Sequence, residues 1–260
     1  MKNLNFKILL LISILLYLTG FYFNSNNYKF ANISVPGVYS QPFQEPLDGT
    51  ETSIPSCCRG DWCWTFTPLF KYDITAFVFG TSHKFTSEFK DTLTDIGLLW
   101  GDNASKEYYK NVKLRVMMDH YEVSWRYGEN FDLYSAANTH IATCDSKTFK
   151  KIRSIKTGDQ VRIKGWLVNA KISKKPGETD PAKILTWNSS ITRNDTGEGS
   201  CELMYVSKAE DLNVIAKGPR YWFYIKEIGF YSFWLLLILW FYFFNQKTKK
   251  EIEEMNNLKI

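Results

Sequence analysis

The side chains best suited to catalysis are a histidine and a thiol that lie far apart in the sequence. His140, one of three histidines, stands in the run NTHIATC, and Cys201 begins the run CELMYV. A histidine next to a cysteine can act as the general base that activates the thiol as a nucleophile. The alternative that we favour is a disulfide between Cys144 and Cys201, which would tie a short helix to a strand.

The loop that leads into Cys201 is rich in glycine and small polar residues, with the sequence RNDTGEGS over residues 193–200. A loop of this composition can present backbone N–H groups or oxygens to a ligand. It is also typical of a tight hairpin in which Asp195 hydrogen-bonds neighbouring amides, and this structural interpretation is favoured. The candidate catalytic residues are therefore His140, Asp195, Cys201 and Glu202.

Basic side chains are concentrated in the predicted helix and strand that follow His140. Such a cluster can bind anionic polymers or lipid headgroups, although a solvated helix face is the default interpretation. No set of aromatic residues is interleaved with these charges for base stacking, so a nucleic-acid partner is not predicted. The candidate binding residues are Lys147, Lys150, Lys151, Arg153, Arg162 and Lys164.

The signatures of common cofactor and metal sites are missing from the sequence. There is no P-loop, no dinucleotide fingerprint and no H-E-x-x-H motif. Cys57, Cys58 and Cys63 lack the paired spacing of a zinc site, and a local disulfide that includes Cys63 is the favoured interpretation. We therefore predict no cofactor and no metal. Five cysteines leave at least one outside an intrachain disulfide.

An uncharged apolar run lies near each end of the chain. The first, Ile8–Phe23, follows Lys2 and Lys7, and the second is Ile228–Phe244. Runs of this kind are typical of transmembrane helices. A cleaved signal peptide is the alternative for the first run, but Gly20 leads into the bulky residues Phe21, Tyr22 and Phe23 where cleavage requires small ones. We predict an uncleaved anchor at each end, which makes the lipid bilayer a predicted partner.

The placement of lysines predicts the orientation in an inner (plasma) membrane. Lys2 and Lys7 precede the first helix, and positively charged flanks stay on the cytoplasmic side. Two spans then return the C-terminus to the cytoplasm and leave the intervening residues in the periplasm or outside the cell. The predicted segments are a signal anchor at 1–24, an extended linker at 25–55, an extracytoplasmic β domain at 56–220, a transmembrane helix at 221–245 and a cytoplasmic tail at 246–260.

The region between the anchors is predicted to be mainly β. The apolar alternation slips by one residue at Asp119–His120, which is typical of a β-bulge that bends a long strand. Capping chemistry at Asp145 or Ser146 predicts one short helix that ends near Ile155, and we expect Gly165 to break its strand. The predicted strands are Tyr72–Gly80, Asn111–Tyr127, Gln160–Ala170, Ile184–Trp187 and Glu202–Val206.

This order of strands with one short helix is typical of a small Greek-key barrel of the OB type. The predicted fold is therefore an OB-like barrel flanked by two transmembrane helices. A β-sandwich is the alternative. The aromatic content of 17% also fits a β-rich core.

Five segments spread along the intervening region carry a family resemblance: YDITAFV at Tyr72, LLWGDN at Leu98, NTHIAT at Asn138, GDQVRIKGWL at Gly158 and RNDTGEGSCELMYV at Arg193. They resemble a family of bacterial envelope proteins that have an anchor at each end. The resemblance covers a minority of the region. It implies one compact domain between two anchors and implies no activity. The cysteines at positions 57–63 depart from the family pattern.

The function predicted from these features is that of a membrane-tethered, non-enzymatic module. Its β domain would bind or scaffold an envelope protein or an anionic polymer, and the chain could form oligomers. The alternative is an envelope hydrolase or thiol-dependent enzyme that uses His140, Asp195 and Cys201. The two hypotheses differ in whether those side chains converge on one pocket that solvent can reach.

Overall fold

A computed structural model of the chain describes residues 2–26, 30, 35–49, 53–82, 92–117, 120–125, 130–192 and 201–257. They form two compact units, one made of the terminal segments up to Asn27 and from Pro219, the other of Tyr28–Gly218. The helices are α1 (Lys2–Asn26), α2 (Gly101–Ser105), α3 (Ser146–Ser154) and α4 (Tyr221–Asn257). The strands are β1 (Phe43–Pro46), β2 (Cys57–Arg59), β3 (Trp62–Ser82), β4 (Leu93–Leu99), β5 (Val112–Val116), β6 (Tyr121–Trp125), β7 (Ala136–Ala142), β8 (Gln160–Ser173), β9 (Leu185–Trp187), β10 (Leu203–Tyr205) and β11 (Leu212–Ala216).

The terminal unit consists of α1 and α4, each long and apolar enough to cross a membrane. The two helices pack antiparallel at small residues. A Cβ added at Gly20 would lie 2.4 Å from the backbone nitrogen of Lys226, and one at Gly229 would lie 2.3 Å from that of Tyr17. Such close backbone approach is typical of helix packing in membranes. With 37 residues α4 is about 55 Å long, so the helix continues through most of the predicted tail.

The second unit is built on one large mixed sheet with the strand order β1-β3-β4-β7-β10-β8-β11. Because β3 also pairs with β8, the pairings lead from β3 through β4, β7, β10 and β8 back to β3. The β7–β10 pair is parallel and the other pairs in this circuit are antiparallel. The circuit is uneven, since β3 has 21 residues and β10 has three. A closed barrel with its strands evenly round an axis is therefore not established.

The strand predicted at Tyr72–Gly80 is confirmed as part of the longer strand β3. Its inward side chains Ile74, Ala76 and Val78 are completely buried in a core shared with β4, β7 and β8. Phe77 and Phe79 point to the other face and pack in a second cluster with β5. A strand with apolar groups on both faces must be covered on both faces.

The short helix predicted after Cys144 is confirmed as α3. Asp145 caps its N-terminus by accepting a hydrogen bond from the Thr148 amide at 2.6 Å and one from the Thr148 hydroxyl at 2.7 Å. These bonds hold the pKa of Asp145 below its usual range. Ile152 anchors the helix in the main core. Capping chemistry is local, which is why the sequence alone could predict this helix.

Gly165 does not break its strand, because β8 runs without interruption from Gln160 to Ser173. A Cβ at Gly165 would lie 2.1 Å from the Tyr205 carbonyl oxygen. The glycine is therefore needed for the close approach of β10 to β8. A glycine inside a strand often marks such a site of close backbone approach.

The long bent strand predicted at Asn111–Tyr127 is wrong. The structure has two short strands there, β5 and β6, which pair antiparallel as a separate two-stranded sheet. A reversal of the chain between them changes the phase of the apolar alternation just as a bulge would. In place of Asn111–Tyr127, the pairing circuit contains β4 (Leu93–Leu99) and β7 (Ala136–Ala142). The predicted strand at Ile184–Trp187 corresponds to β9, which among the described residues pairs only with β8, as a side branch of the sheet.

The extended linker expected at residues 25–55 belongs to the β unit where the structure describes it after α1. Val38 is completely buried, and β1 pairs with β3 from Phe43↔Asp73 to Pro46↔Phe70. Phe30 packs its ring 4.4 Å from that of Tyr109. Proline and glycine content suggested a linker, but buried apolar residues at a few positions decide the packing.

Candidate functional site

The candidate base His140 lies on β7, and its partner is Asp95 on the neighbouring strand β4. The two residues are directly opposite in the antiparallel register, so their side chains lie on the same face of the sheet. The Nδ1 atom of His140 contacts the Asp95 carboxylate, and both side chains are completely buried. A carboxylate at Nδ1 fixes the orientation of the imidazole and leaves Nε2 as its reactive nitrogen.

This face of β4 and β7 is covered by other parts of the chain. The ring of Trp187 stands edge-on to His140 with centroids 4.5 Å apart. The β5–β6 hairpin covers the neighbouring positions, where Asn138 Nδ2 donates a hydrogen bond to the Met117 carbonyl at 3.1 Å. The Nε2 atom of His140 is buried and has no hydrogen-bond partner in the described part of the chain.

The predicted residues Cys201 and Glu202 immediately precede β10, whose first residue, Leu203, is in register with His140. The His140 amide donates to the Glu202 carbonyl oxygen at 2.8 Å, and both Cys201 and Glu202 are buried. The structure thus brings three of the four candidate catalytic residues into one neighbourhood. Asp195 lies outside the described residues. Among the residues that the structure describes, the side chain of His140 makes no hydrogen bond to a nucleophilic side chain.

Asp95 was missed in the sequence, although one signal pointed to it. It stands in the run DIGLLW, whose other residues are apolar or glycine. Aspartate is almost never fully buried without a partner. An aspartate in a strand that is buried along its whole length therefore implies a basic or hydrogen-bonding partner nearby.

The predicted disulfide between Cys144 and Cys201 is wrong. Cys144 is bonded to Cys57, with Cα atoms 5.8 Å apart, because the β2–β3 hairpin carries Cys57 to the start of α3. The expected local disulfide is confirmed as Cys58–Cys63. Cys201 belongs to neither bond and its thiol is buried. Two disulfides favour an oxidising compartment.

The six basic candidates divide between α3 and β8. On α3, Lys147 lies 3.7 Å from Glu210 and Lys151 donates to the Ala209 carbonyl at 2.8 Å. Arg153 lies over the Phe149 ring, and Lys150 is exposed. On β8, Arg162 and Lys164 both approach Asp73, at 2.7 and 3.9 Å. The basic side chains are therefore partly neutralised by neighbouring acidic residues.

A groove of about 570 Å³ lies on the outward face of β1, β3, β8 and β11, and we call it the β3–β8 groove. Its size is within the range of small-ligand clefts. One wall carries Phe43, which is 57% exposed, and the opposite wall carries Ile215, which is 37% exposed. The lining residues are Val35, Gly37, Ser40, Gln41, Phe43, Asp73, Thr75, Arg162, Asn213 and Ile215.

The floor of the β3–β8 groove is an ion pair with two parallel hydrogen bonds. Arg162 donates from Nε to Asp73 Oδ1 at 3.0 Å and from its terminal nitrogen to Oδ2 at 2.7 Å. The hydrogen bonds to this carboxylate raise the pKa of Arg162. Bidentate pairing fixes the orientation of both groups. The floor therefore presents donors and acceptors at defined positions.

The described residues contain no group of three or more His, Cys, Asp or Glu side chains that could hold a metal ion. Comparison of the chain with protein-family models, with curated proteins and with solved structures finds no match. The resemblance to envelope proteins with two anchors therefore stays a prediction. The described residues offer two candidate places for function, the covered Asp95–His140 pair and the open β3–β8 groove.

Proposed function

We propose that the chain is a membrane-anchored module whose β domain lies outside the cytoplasm and binds a partner in the β3–β8 groove. The observation that carries the proposal is that this groove is open and holds exposed apolar side chains beside a fixed ion pair. Exposed apolar groups with a few oriented polar groups are typical of ligand sites. The covered Asp95–His140 pair offers no such surface among the described residues.

The anchors and disulfides support the placement of this module. Two antiparallel apolar helices leave the intervening residues on one side of a bilayer, and two disulfides favour an oxidising compartment. Lys2 and Lys7 favour a cytoplasmic N-terminus. Both termini then face the cytoplasm, and the β domain faces the periplasm or the cell exterior.

An OB-like fold is part of the proposal. In chain order the five strands of the pairing circuit are β3, β4, β7, β8 and β10. The third strand, β7, pairs parallel with the last, β10, and α3 lies between β7 and the fourth strand, β8. This is the order of an OB barrel, whose usual ligand face is on strands two and three. Those strands correspond to β4 and β7, whose outward face is covered. The β3–β8 groove lies on another face.

Placement is tested with reporters in the full chain. An enzyme that is active only in the cytoplasm should be active when fused after Ile260 and inactive when inserted at Gly177, in an exposed turn. Activity at Gly177 would contradict the extracytoplasmic placement.

Binding is tested with a photo-crosslinking amino acid in the native membrane. Placed at Phe43, it should give a defined adduct. Placed at Leu185, which is 48% exposed on β9, it should give none, because β9 lies outside the β3–β8 groove. Equal adducts at both positions, or none at Phe43, would contradict the proposal.

A thiol-dependent enzyme is the second candidate function, and the Asp95–His140 pair favours it. A base oriented by a carboxylate is the arrangement used to activate nucleophiles, and Cys201 lies on the neighbouring strand end. The enzyme hypothesis requires that Cys201 is alkylated rapidly in the native protein and that this rapid alkylation is lost in the His140→Ala variant. Slow alkylation in both proteins would remove this candidate.

A further inference from the structure

Five side chains that line the β3–β8 groove, together with Lys164 next to it on β8, form two rows across the sheet. Phe43 is in register with Asp73, and Asp73 with Lys164. Thr75 is in register with Arg162, and Arg162 with Asn213. Residues in register share a face, and the two rows are two residues apart along β3 and β8. The six side chains therefore form one array, about 7 Å by 10 Å from the usual strand spacings.

The polar groups of this array are held in place and keep unused hydrogen-bonding capacity. A carboxylate accepts about four hydrogen bonds and a guanidinium donates five, whereas Asp73 and Arg162 exchange two with each other. Asn213 Nδ2 donates to the Glu210 carbonyl, which leaves its side-chain oxygen as an acceptor. Donors and acceptors thus alternate over a short distance, beside the exposed ring of Phe43.

The charge of the array argues against a purely anionic ligand. Asp73 already neutralises Arg162, and Lys164 lies 3.9 Å from the same carboxylate. A phosphate or carboxylate polymer would meet Asp73 at the centre of the site. An added peptide strand would use backbone groups at a sheet edge, whereas this array lies on a sheet face and offers side chains only.

We infer that the β3–β8 groove binds an oligosaccharide, with a sugar ring stacked on Phe43 and its hydroxyl groups bonded to Asp73, Arg162 and Asn213. A hydroxyl is both donor and acceptor, so neighbouring hydroxyls match alternating fixed groups. The apolar face of a pyranose ring matches an exposed aromatic ring. This inference rests on the proposed binding function and names its ligand class.

The test uses the full chain in lipid nanodiscs and isothermal titration calorimetry with two uncharged probes, maltohexaose and chitohexaose. Polyglutamate is the anionic comparison. At least one oligosaccharide should bind, and polyglutamate should not compete. The two probes also separate sources, since maltohexaose carries only hydroxyl groups and chitohexaose carries acetamido groups as in cell-wall glycans. Binding of neither sugar to the wild-type protein would overturn the inference.

Variants separate stacking from simple apolar contact. Phe43→Leu keeps an apolar group but lacks the ring, and it should weaken binding at least tenfold. Phe43→Tyr keeps the ring, and its dissociation constant from calorimetry should lie within about twofold of that of the wild-type protein. Asp73→Asn should also lose at least tenfold, and Leu185→Ala should change nothing. Equal binding by Phe43→Leu and Phe43→Tyr would contradict the inference.

Failure of the inference is distinguishable from failure of the proposed function. Adducts from the crosslinker at position 43 are digested and analysed for peptide and for sugar. A peptide adduct without sugar would keep the binding module and overturn the oligosaccharide inference. A sugar adduct supports both.

Discussion

Asp95 and His140 form a completely buried polar pair on the outward face of β4 and β7. A buried polar group without its partner costs about 1–3 kcal/mol of stability. The pair therefore contributes to the stability of the β unit whether or not it takes part in any chemistry. Its stability effect can be measured without knowing any substrate.

We predict that Asp95→Ala and His140→Ala each destabilise the β unit by about 1–3 kcal/mol beyond the loss of packing. The double variant should cost less than the sum of the single variants, because the second change removes a group that has already lost its partner. The measurement is urea unfolding of the full chain in nanodiscs, followed by the β-sheet circular dichroism.

Thr139→Ala is the matched control for this cycle. Thr139 is completely buried on the same strand but faces the other side of the sheet. Its cost should add to that of Asp95→Ala. Additive costs for Asp95→Ala and His140→Ala would show that the two side chains do not depend on each other.

At the residue scale the sequence singled out His140 as a candidate but gave no indication that Asp95 is its partner. His140 was notable because the chain has three histidines. Its contact with Asp95 depends on the β4–β7 register, across a separation of 45 residues. Periodicity within a strand does not define its neighbours, so long-range pairs of this kind need the fold.

At the element scale the β5–β6 hairpin decides which face of the sheet is accessible. It packs over β3 and β4 where two glycines make room. A Cβ at Gly80 would lie 2.6 Å from Val116 Cγ2 on β5, and one at Gly97 would lie 2.5 Å from the same atom. The hairpin and these glycines thus cover part of the outward face of β3 and β4.

We predict that Gly80→Ala destabilises the β unit by about 1–3 kcal/mol, because the added methyl group overpacks the contact with Val116. Val116→Ala removes the clashing methyl and should recover most of this loss in the double variant. Urea unfolding of the four proteins gives the coupling between the two positions.

Leu114→Ala provides the comparison for the Gly80 cycle. Leu114 lies on the same strand as Val116 and packs in the same cluster. The three atoms nearest to a Cβ added at Gly80 all belong to Val116 and none to Leu114. It should not reduce the cost of Gly80→Ala. Equal rescue by both alanine variants would mean that the hairpin is loosened in general.

Elements with local signals were predictable and those without were not. Asp145 marks the start of α3 because the cap is made within four residues of chain. The sequence predicts one bent strand in place of the β5–β6 hairpin, because a turn and a bulge shift apolar alternation in the same way. β7 was missed because its outward polar residues, Asn138 and His140, are buried only by the rest of the fold.

At the scale of the whole molecule, the two apolar ends and the β-rich middle were predictable from composition. Long apolar runs have few alternatives in a folded chain. The cysteine pairing was not predictable in the same way, since five cysteines allow several connectivities and only the β2–β3 hairpin selects one. The position of the β3–β8 groove also depends on how four strands assemble.

The two disulfides should contribute unequally to the free energy of unfolding of the β unit. Cys57–Cys144 joins residues separated by 87 positions, and Cys58–Cys63 joins residues separated by five. Cross-linking a longer loop removes more entropy from the unfolded chain, which corresponds to about 4–5 kcal/mol for the first bond and about 2 kcal/mol for the second. Replacing Cys57 and Cys144 by serine should therefore lower the urea midpoint more than replacing Cys58 and Cys63. Equal losses, or a linked Cys144–Cys201 peptide in a non-reducing map, would contradict this connectivity.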